Sequence, residues 1–235
     1  MLRRSRLALL MTFTSVFLAS LAVLSAGCNP FAPFLFTAYL TGADREQRIL
    51  FNFPDDAKRI AVVTQVPFGT RIDMGHLDRD LNEKVAREIF DYFETKKLTG
   101  KREVVRAAKV HKWQDEHPNW MNLDCGEIGR ALRVDYLVVL EVRSMTLYEE
   151  NSSRTLYKGH AEMNVQVYRI SADSHEMVYS NPRLVVDFPT KDRPIPVADI
   201  SFQRFRDGFV DELAKRISWV FVPHETGDQF DRADF

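Results

Sequence analysis

The densest group of reactive side chains in this sequence is His111-Lys112-Trp113-Gln114-Asp115-Glu116-His117. Two imidazoles and two carboxylates are the donor types that hold a transition metal, but their spacing argues against one. His111 and His117 stand six residues apart, on different sides of a helix, whereas a helical metal pair needs i and i+4. The cluster reads instead as a solvated, charged helix end running into Pro118. A second candidate is the stretch from Pro67 to His76, which carries Gly69, Gly75 and the cation Arg71. Neither the G-x-G-x-x-G nor the G-x-x-x-x-G-K-[ST] pattern of a phosphate cradle is present, although a loop at the carboxyl end of a strand is where open sheets bind ligands. Serine chemistry has no G-x-S-x-G elbow to support it, and Ser152 and Ser153 sit where a turn needs small polar residues. No catalytic residue, metal site or cofactor is expected.

One side chain remains whose surroundings specify a reaction. Arg3, Arg4 and Arg6 precede an uncharged run from Leu7 to Leu24, and Ala26 and Gly27 then stand immediately before Cys28. A basic start, an apolar stretch and small residues at its end are the marks of an export signal. The five residues Leu24-Ser25-Ala26-Gly27-Cys28 resemble the lipobox of bacterial lipoproteins, departing from the commonest pattern in that Ser25 holds the position where Leu is usual. In that family a diacylglyceryl thioether forms on the cysteine, cleavage follows on its amino side, and the new terminus is acylated. The resemblance thus implies Cys28 as the lipidation site and first mature residue. Asn29, where Asp would retain a lipoprotein in the inner membrane, implies the outer membrane, with the domain facing the periplasm. A retained membrane helix is the alternative, since the run from Leu7 just reaches the roughly 18 residues that span a bilayer. Both readings make the membrane a partner.

Removing the 27 residues before Cys28 from the 235 leaves 208, enough for one domain with its tethers. The signal holds three of the 32 basic residues and none of the 33 acidic ones, so the mature part has a formal charge of minus four. That balance excludes a nucleic-acid footprint. Cys125 is the only other cysteine, so lipidation of Cys28 leaves no intramolecular disulfide available. Stability must come from the core, for which 17 Phe, 7 Tyr and 3 Trp supply large side chains.

These residues require elements to position them. Residues 28–57 read as lipid anchor and tether, unusually apolar at Phe31, Phe34, Leu35, Phe36, Tyr39 and Leu40. A domain is expected over 58–222, followed by a disordered acidic tail over 223–235. Arg59 to Val66 is a buried strand; Asp78 is the expected N-cap of a helix through Leu81, Val85, Ile89 and Phe93 that Gly100 stops. After a short strand over Glu103 to Arg106 and a helical stretch around Val110 and Trp113, Asp124 and Glu127 have capping-box spacing for a helix ending near Leu132. Cys125 in its first turn reads as a small buried hydrophobe or a mildly acidified thiol. Tyr136 to Leu140 is a central strand apolar on both faces. In the next strand Tyr157, Gly159, Ala161, Met163, Val165 and Val167 alternate with Lys158, His160, Glu162, Asn164 and Gln166, giving one dry and one wet face. Met177 to Phe188 completes an antiparallel meander, and Phe202, Phe205, Phe209, Leu213 and Ile217 mark a closing helix.

The fold class is therefore α+β with an α/β-like start: a mixed, mainly antiparallel sheet of about five strands with helices chiefly on one face. Arg59-Ile60-Ala61-Val62-Val63, the long helix after it, the passage Glu127-Ile128-Gly129-Arg130-Ala131-Leu132-Arg133-Val134-Asp135-Tyr136-Leu137-Val138, and Val165-Gln166-Val167-Tyr168 before a tight turn resemble one group of envelope domains. That group comprises the curli-secretion lipoprotein, the lipoprotein activators of penicillin-binding proteins and the N-terminal domain of the Tol translocation protein. The resemblance spans roughly residues 58 to 218 and implies an interaction module rather than an enzyme, with another envelope protein as partner. The connections are too short for the membrane-spanning hairpins of a curli-type pore, whose strands need ~9–11 further residues each. The expected partner surface is the wet face, Lys158, His160, Glu162, Asn164 and Gln166. The competing expectation is an envelope enzyme or ligand-binding protein using the loop around Arg71 and His76 or the His111 to His117 cluster.

Overall fold

An uninterrupted apolar run is buried only where both faces of a sheet are covered, and two strands here meet that condition. β1 (Arg59–Gln65) sends Ile60 and Val62 to one core and Ala61 and Val63 to a second. β3 (Tyr136–Tyr148) does the same with Tyr136, Val138 and Leu140 against Leu137 and Val139. The computed structural model describes residues 47–67, 69–70, 75–98, 101–190 and 193–225. Residues 48–224 form one compact unit; the other, residues 1–47 and 225–235, lies almost wholly outside the described residues. Outside them fall the expected signal, Cys28, the apolar stretch from Phe31 to Leu40, Arg71, Gly100 and nearly all of the acidic tail.

The sheet order is β2-β1-β3-β4-β5, where β2 is Glu103–Val104, β4 is Leu156–Ile170 and β5 is His175–Phe188. β1 runs parallel to both β2 and β3, and β3, β4 and β5 form the antiparallel meander. A two-residue strand β6 (Ile195–Pro196) pairs with the start of β4. The two long helices, α1 (Leu77–Thr95) and α4 (Phe202–Ser218), share one face of the sheet, burying Leu81, Val85, Ile89 and Phe93 with Phe205, Phe209, Leu213 and Ile217. The shorter α2 (Ala107–Glu116) and α3 (Cys125–Leu132) cover the reverse face, where Val110, Ile128 and Leu132 meet Val63 and Leu137. The architecture is an open mixed α+β sheet. Gly159 on β4 lets α4 approach closely, for a Cβ there would stand 2.7 Å from the Phe209 ring.

Three local expectations are corrected. α1 starts at Leu77 with His76 as its N-cap, because the Arg79 and Asp80 N–H groups both return to the His76 carbonyl; Asp78 lies inside the first turn beside Asp80, where both carboxylates favour the helix dipole. The same helix ends at Thr95, ahead of Gly100. Lys97 takes a φ of 56° while its N–H bonds to Glu94 O (2.9 Å) and Leu98 N–H reaches Phe93 O (2.7 Å), a Schellman motif without glycine. The compact unit also begins ahead of Lys58. Phe53 and Ala57 are buried in the main core, with Phe53 stacked on Phe221 at 5.6 Å, so the last part of the expected tether belongs to the domain.

Asp135 joins the two parallel strands. Its Oδ2 accepts from Lys58 N–H (3.0 Å) and Arg59 N–H (2.8 Å), its own N–H donates to Arg59 O (2.9 Å), and its carbonyl accepts from Ile170 N–H (2.8 Å). The capping box at α3 is formed as its spacing implies: Asp124 accepts from Gly126 N–H at 2.6 Å and Glu127 accepts from Asp124 N–H at 3.2 Å.

Candidate functional site

Along β4 the odd-numbered residues from Tyr157 to Val167 are buried against α1 and α4. The even-numbered side chains consequently point to the face that α2 and α3 cover only in part. Tyr168 and Ile170, at the far end of β4, pack under those helices; Lys158, His160 and Glu162 lie beyond them and are half-buried by their neighbours. Each is already paired within the sheet. Lys158 Nζ lies 3.1 Å from Glu149, His160 Nδ1 2.7 Å from Asp187, and Glu162 3.1 Å from Arg183 Nη2. Gln166 Oε1 accepts from the Tyr168 hydroxyl at 3.1 Å. The five expected surface residues thus share one face, and each of the three charged or titratable ones among them meets a partner of the opposite type across it.

Asn164 departs from the expectation. It is 4% exposed, its Nδ2 donates to Glu141 at 3.0 Å, and its Oδ1 has no partner among the described residues. Asn164 lies opposite a bulge in β5, where one extra residue stands between Leu184 and Asn181 against the Met163 to Val165 step of β4. A second slip lies between Val142 and Ser144 on β3. These bulges also hid the partners Glu141, Glu149, Arg183 and Asp187 from sequence reasoning, since counting by twos fails across an inserted residue. The acidic and basic residues of the meander were the one available signal.

The other candidates are dispersed. His111 has its pKa lowered, chiefly by burial and then by Arg79, and its Nε2 is buried without a partner among the described residues. His117 instead stacks on Trp113 at 4.9 Å with its Nδ1 2.8 Å from the Trp113 carbonyl. No group of three or more metal-ligating side chains occurs among the described residues. His76 is exposed at the start of α1, and Arg71 lies outside the described residues. Cys125 is half-buried and packs against the reverse-face core. Burial foremost raises its pKa, outweighing the hydrogen bond to Tyr168. Tyr168 is itself pushed up to about 12, by burial first and by Cys125 next. His175 completes this neighbourhood, with Nδ1 3.3 Å from Asp124.

Fold and site together define an α+β domain with a preorganised polar sheet face beyond its shorter helices. No family model and no curated protein matches the sequence. Among solved structures, the PelC dodecamer from Paraburkholderia phytofirmans is similar at 10% identity and a TM-score of 0.38, over 75% of this chain and 98% of that one. Lipoprotein GNA1162 from Neisseria meningitidis is similar at 9% identity and 0.37, over 68% and 98%. Protein XCC0632 from Xanthomonas campestris is similar at 16% identity and 0.35, over 74% and 88%. No helix among the described residues is long and apolar enough to cross a membrane.

Proposed function

We propose that this chain is a lipid-anchored protein of the bacterial envelope, held through Cys28 at the periplasmic side of the outer membrane, whose domain is a non-catalytic adaptor for another envelope protein. The observation that carries the adaptor reading is the row Lys158, His160 and Glu162 with its partners Asp187 and Arg183 on β5 and Glu149 just past the end of β3. Side chains already fixed by neighbours lose little further rotamer freedom on binding, so a polar face of this kind supports recognition at low entropic cost. The anchor adds confinement: it raises the local concentration of a modest binder near its target.

The test takes both halves in turn. Mass spectrometry of the intact protein should find acyl chains on the wild type and none on Cys28→Ser, and an unprocessed wild type without acyl mass would establish the retained helix instead. Lys158→Glu with Glu162→Lys should weaken partner capture from crosslinked envelopes while the circular dichroism spectrum is unchanged. His111→Ala with His117→Ala should leave capture intact. Metal content or a turnover lost with the histidines would overturn the adaptor reading.

A further inference from the structure

At the edge of the sheet remote from β5 stands β2, only two residues long. Glu103 N–H donates to Lys58 O at 2.6 Å and Val105 N–H to Ile60 O at 2.8 Å. Alternate residues of a strand aim their backbone groups at opposite edges, so the N–H and C=O of Val104 point away from β1. Among the described residues no strand pairs with that edge. The chain then enters α2, whose N-cap, Arg106, makes no side-chain cap bond. The Ala107 and Ala108 N–H groups are thereby left at the positive end of the helix.

These groups form one wall of a groove of about 570 Å³ whose other wall is α1. Ala86 and Phe90 of α1 and Val104 and Ala107 opposite give it an apolar lining, and Phe90 is 42% exposed on a helix whose Leu81, Val85, Ile89 and Phe93 are buried. The charges around it do not cancel. Arg87 is paired with Glu83 at 2.5 Å and Glu103 with Arg59 at 3.1 Å, whereas Arg106 is exposed with no ion pair among the described residues. Arg102, 7% exposed, is held through Nη2 by the Phe53 and Pro54 carbonyls and by Asp55 at 3.2 Å, which leaves Arg106 as the cation of the lining without an ion pair among the described residues.

We propose that this groove receives an extended acidic segment of a partner protein as an added strand on β2. Its backbone pairs with Val104, an apolar side chain lies on Phe90 and Ala86, and a carboxylate sits at the Arg106 and Ala107 end. A free carboxylate needs only the helix end and an apolar molecule only Phe90; an extended chain alone also satisfies the Val104 N–H and C=O. The groove flanks the sheet edge opposite the meander, so it is a second surface, separate from the polar face.

The experiment uses the full chain purified in detergent and a fluorescein-labelled peptide, Val-Thr-Val-Thr-Val-Asp, read by fluorescence anisotropy. Saturable binding is expected, weakened about tenfold or more when Lys replaces the peptide's Asp and lost when Pro replaces its central Val. Arg106→Glu should reverse the preference between the Asp and Lys peptides, and Phe90→Ser should weaken both. Both positions are exposed, and an unchanged circular dichroism spectrum certifies the fold of each variant. Lys158→Glu with Glu162→Lys should leave peptide binding unchanged, which separates this site from the polar face. The proposal is overturned if no peptide saturates at millimolar protein, if the Lys peptide binds as well as the Asp peptide, or if acetate competes as effectively as the unlabelled peptide.

Discussion

Truncating Asp135 should loosen the parallel half of the sheet by an amount the geometry sets. Asp135→Ala keeps the two backbone bonds, from its N–H to Arg59 O and from Ile170 N–H to its carbonyl, and removes both carboxylate bonds, at 3.0 Å to Lys58 N–H and 2.8 Å to Arg59 N–H. A hydrogen bond to a charged group contributes about 1.5–3 kcal/mol, and a lost one costs most where water cannot replace it. Lys58 N–H is exposed and recovers a water; Arg59 N–H is partly buried and bears most of the loss. The expected destabilisation is about 2 kcal/mol, which in a domain of this size lowers Tm by about 4–8 °C. Asp135→Asn, which keeps an oxygen but not the charge, should lose about half as much. Urea unfolding followed by circular dichroism is the assay, with Cm falling at constant m. Asp173→Ala, in the exposed turn between β4 and β5, is the control and should stay within about 0.5 kcal/mol of wild type. The reasoning is refuted if the Asp135→Ala midpoint coincides with that of the control.

Lys97 and Arg133 hold left-handed backbone, with φ of 56° and 58°, so Lys97→Gly and Arg133→Gly should each raise stability by about 0.5–1 kcal/mol in the same urea assay; a loss would contradict the αL assignment. Gly159→Ala should cost about 1–3 kcal/mol by pressing a methyl onto Phe209, and Phe209→Leu in the same chain should recover part of it, while a neutral Gly159→Ala would show that α4 has room to shift. The folded state holds the Tyr168 phenol protonated up to about 12, against 10 when unfolded, so its stabilising contribution is present below pH 10 and lost between pH 10 and 12; Tyr168→Phe should flatten that part of the stability profile, and an unchanged slope would contradict the burial of the phenol.

Much of the fold was legible because its burial is periodic. The alternation along β4, the two-faced apolar run of β3 and the Asp124–Glu127 capping box each name their own environment, and the structure places them as their patterns imply. What stayed hidden has no period. Phe53 is a single aromatic in an irregular segment, and a lone residue does not announce that Phe93, Tyr136 and Phe221 surround it. Lys97 closes α1 in a conformation that sequence assigns to glycine, so the more distant Gly100 drew the helix end. Asp78 is the better N-cap by residue type, yet the first-turn N–H groups settle on the His76 carbonyl. On the candidate surface, periodicity identified which β4 residues share a face but not which residues lie across from them, because bulges at Asn164 and between Val142 and Ser144 shift the register.

The central claim, that the polar face of the meander meets an envelope protein, is tested most directly by site-specific photocrosslinking in native envelopes. A photoreactive residue in place of His160, on that face, is compared with one in place of Glu88, exposed on α1 behind the sheet. The account predicts a discrete adduct with one envelope protein from position 160 that disappears when Lys158→Glu and Glu162→Lys are added, and no such adduct from position 88. Equal adducts from both positions, or an adduct from position 160 that survives the charge reversal, would contradict it.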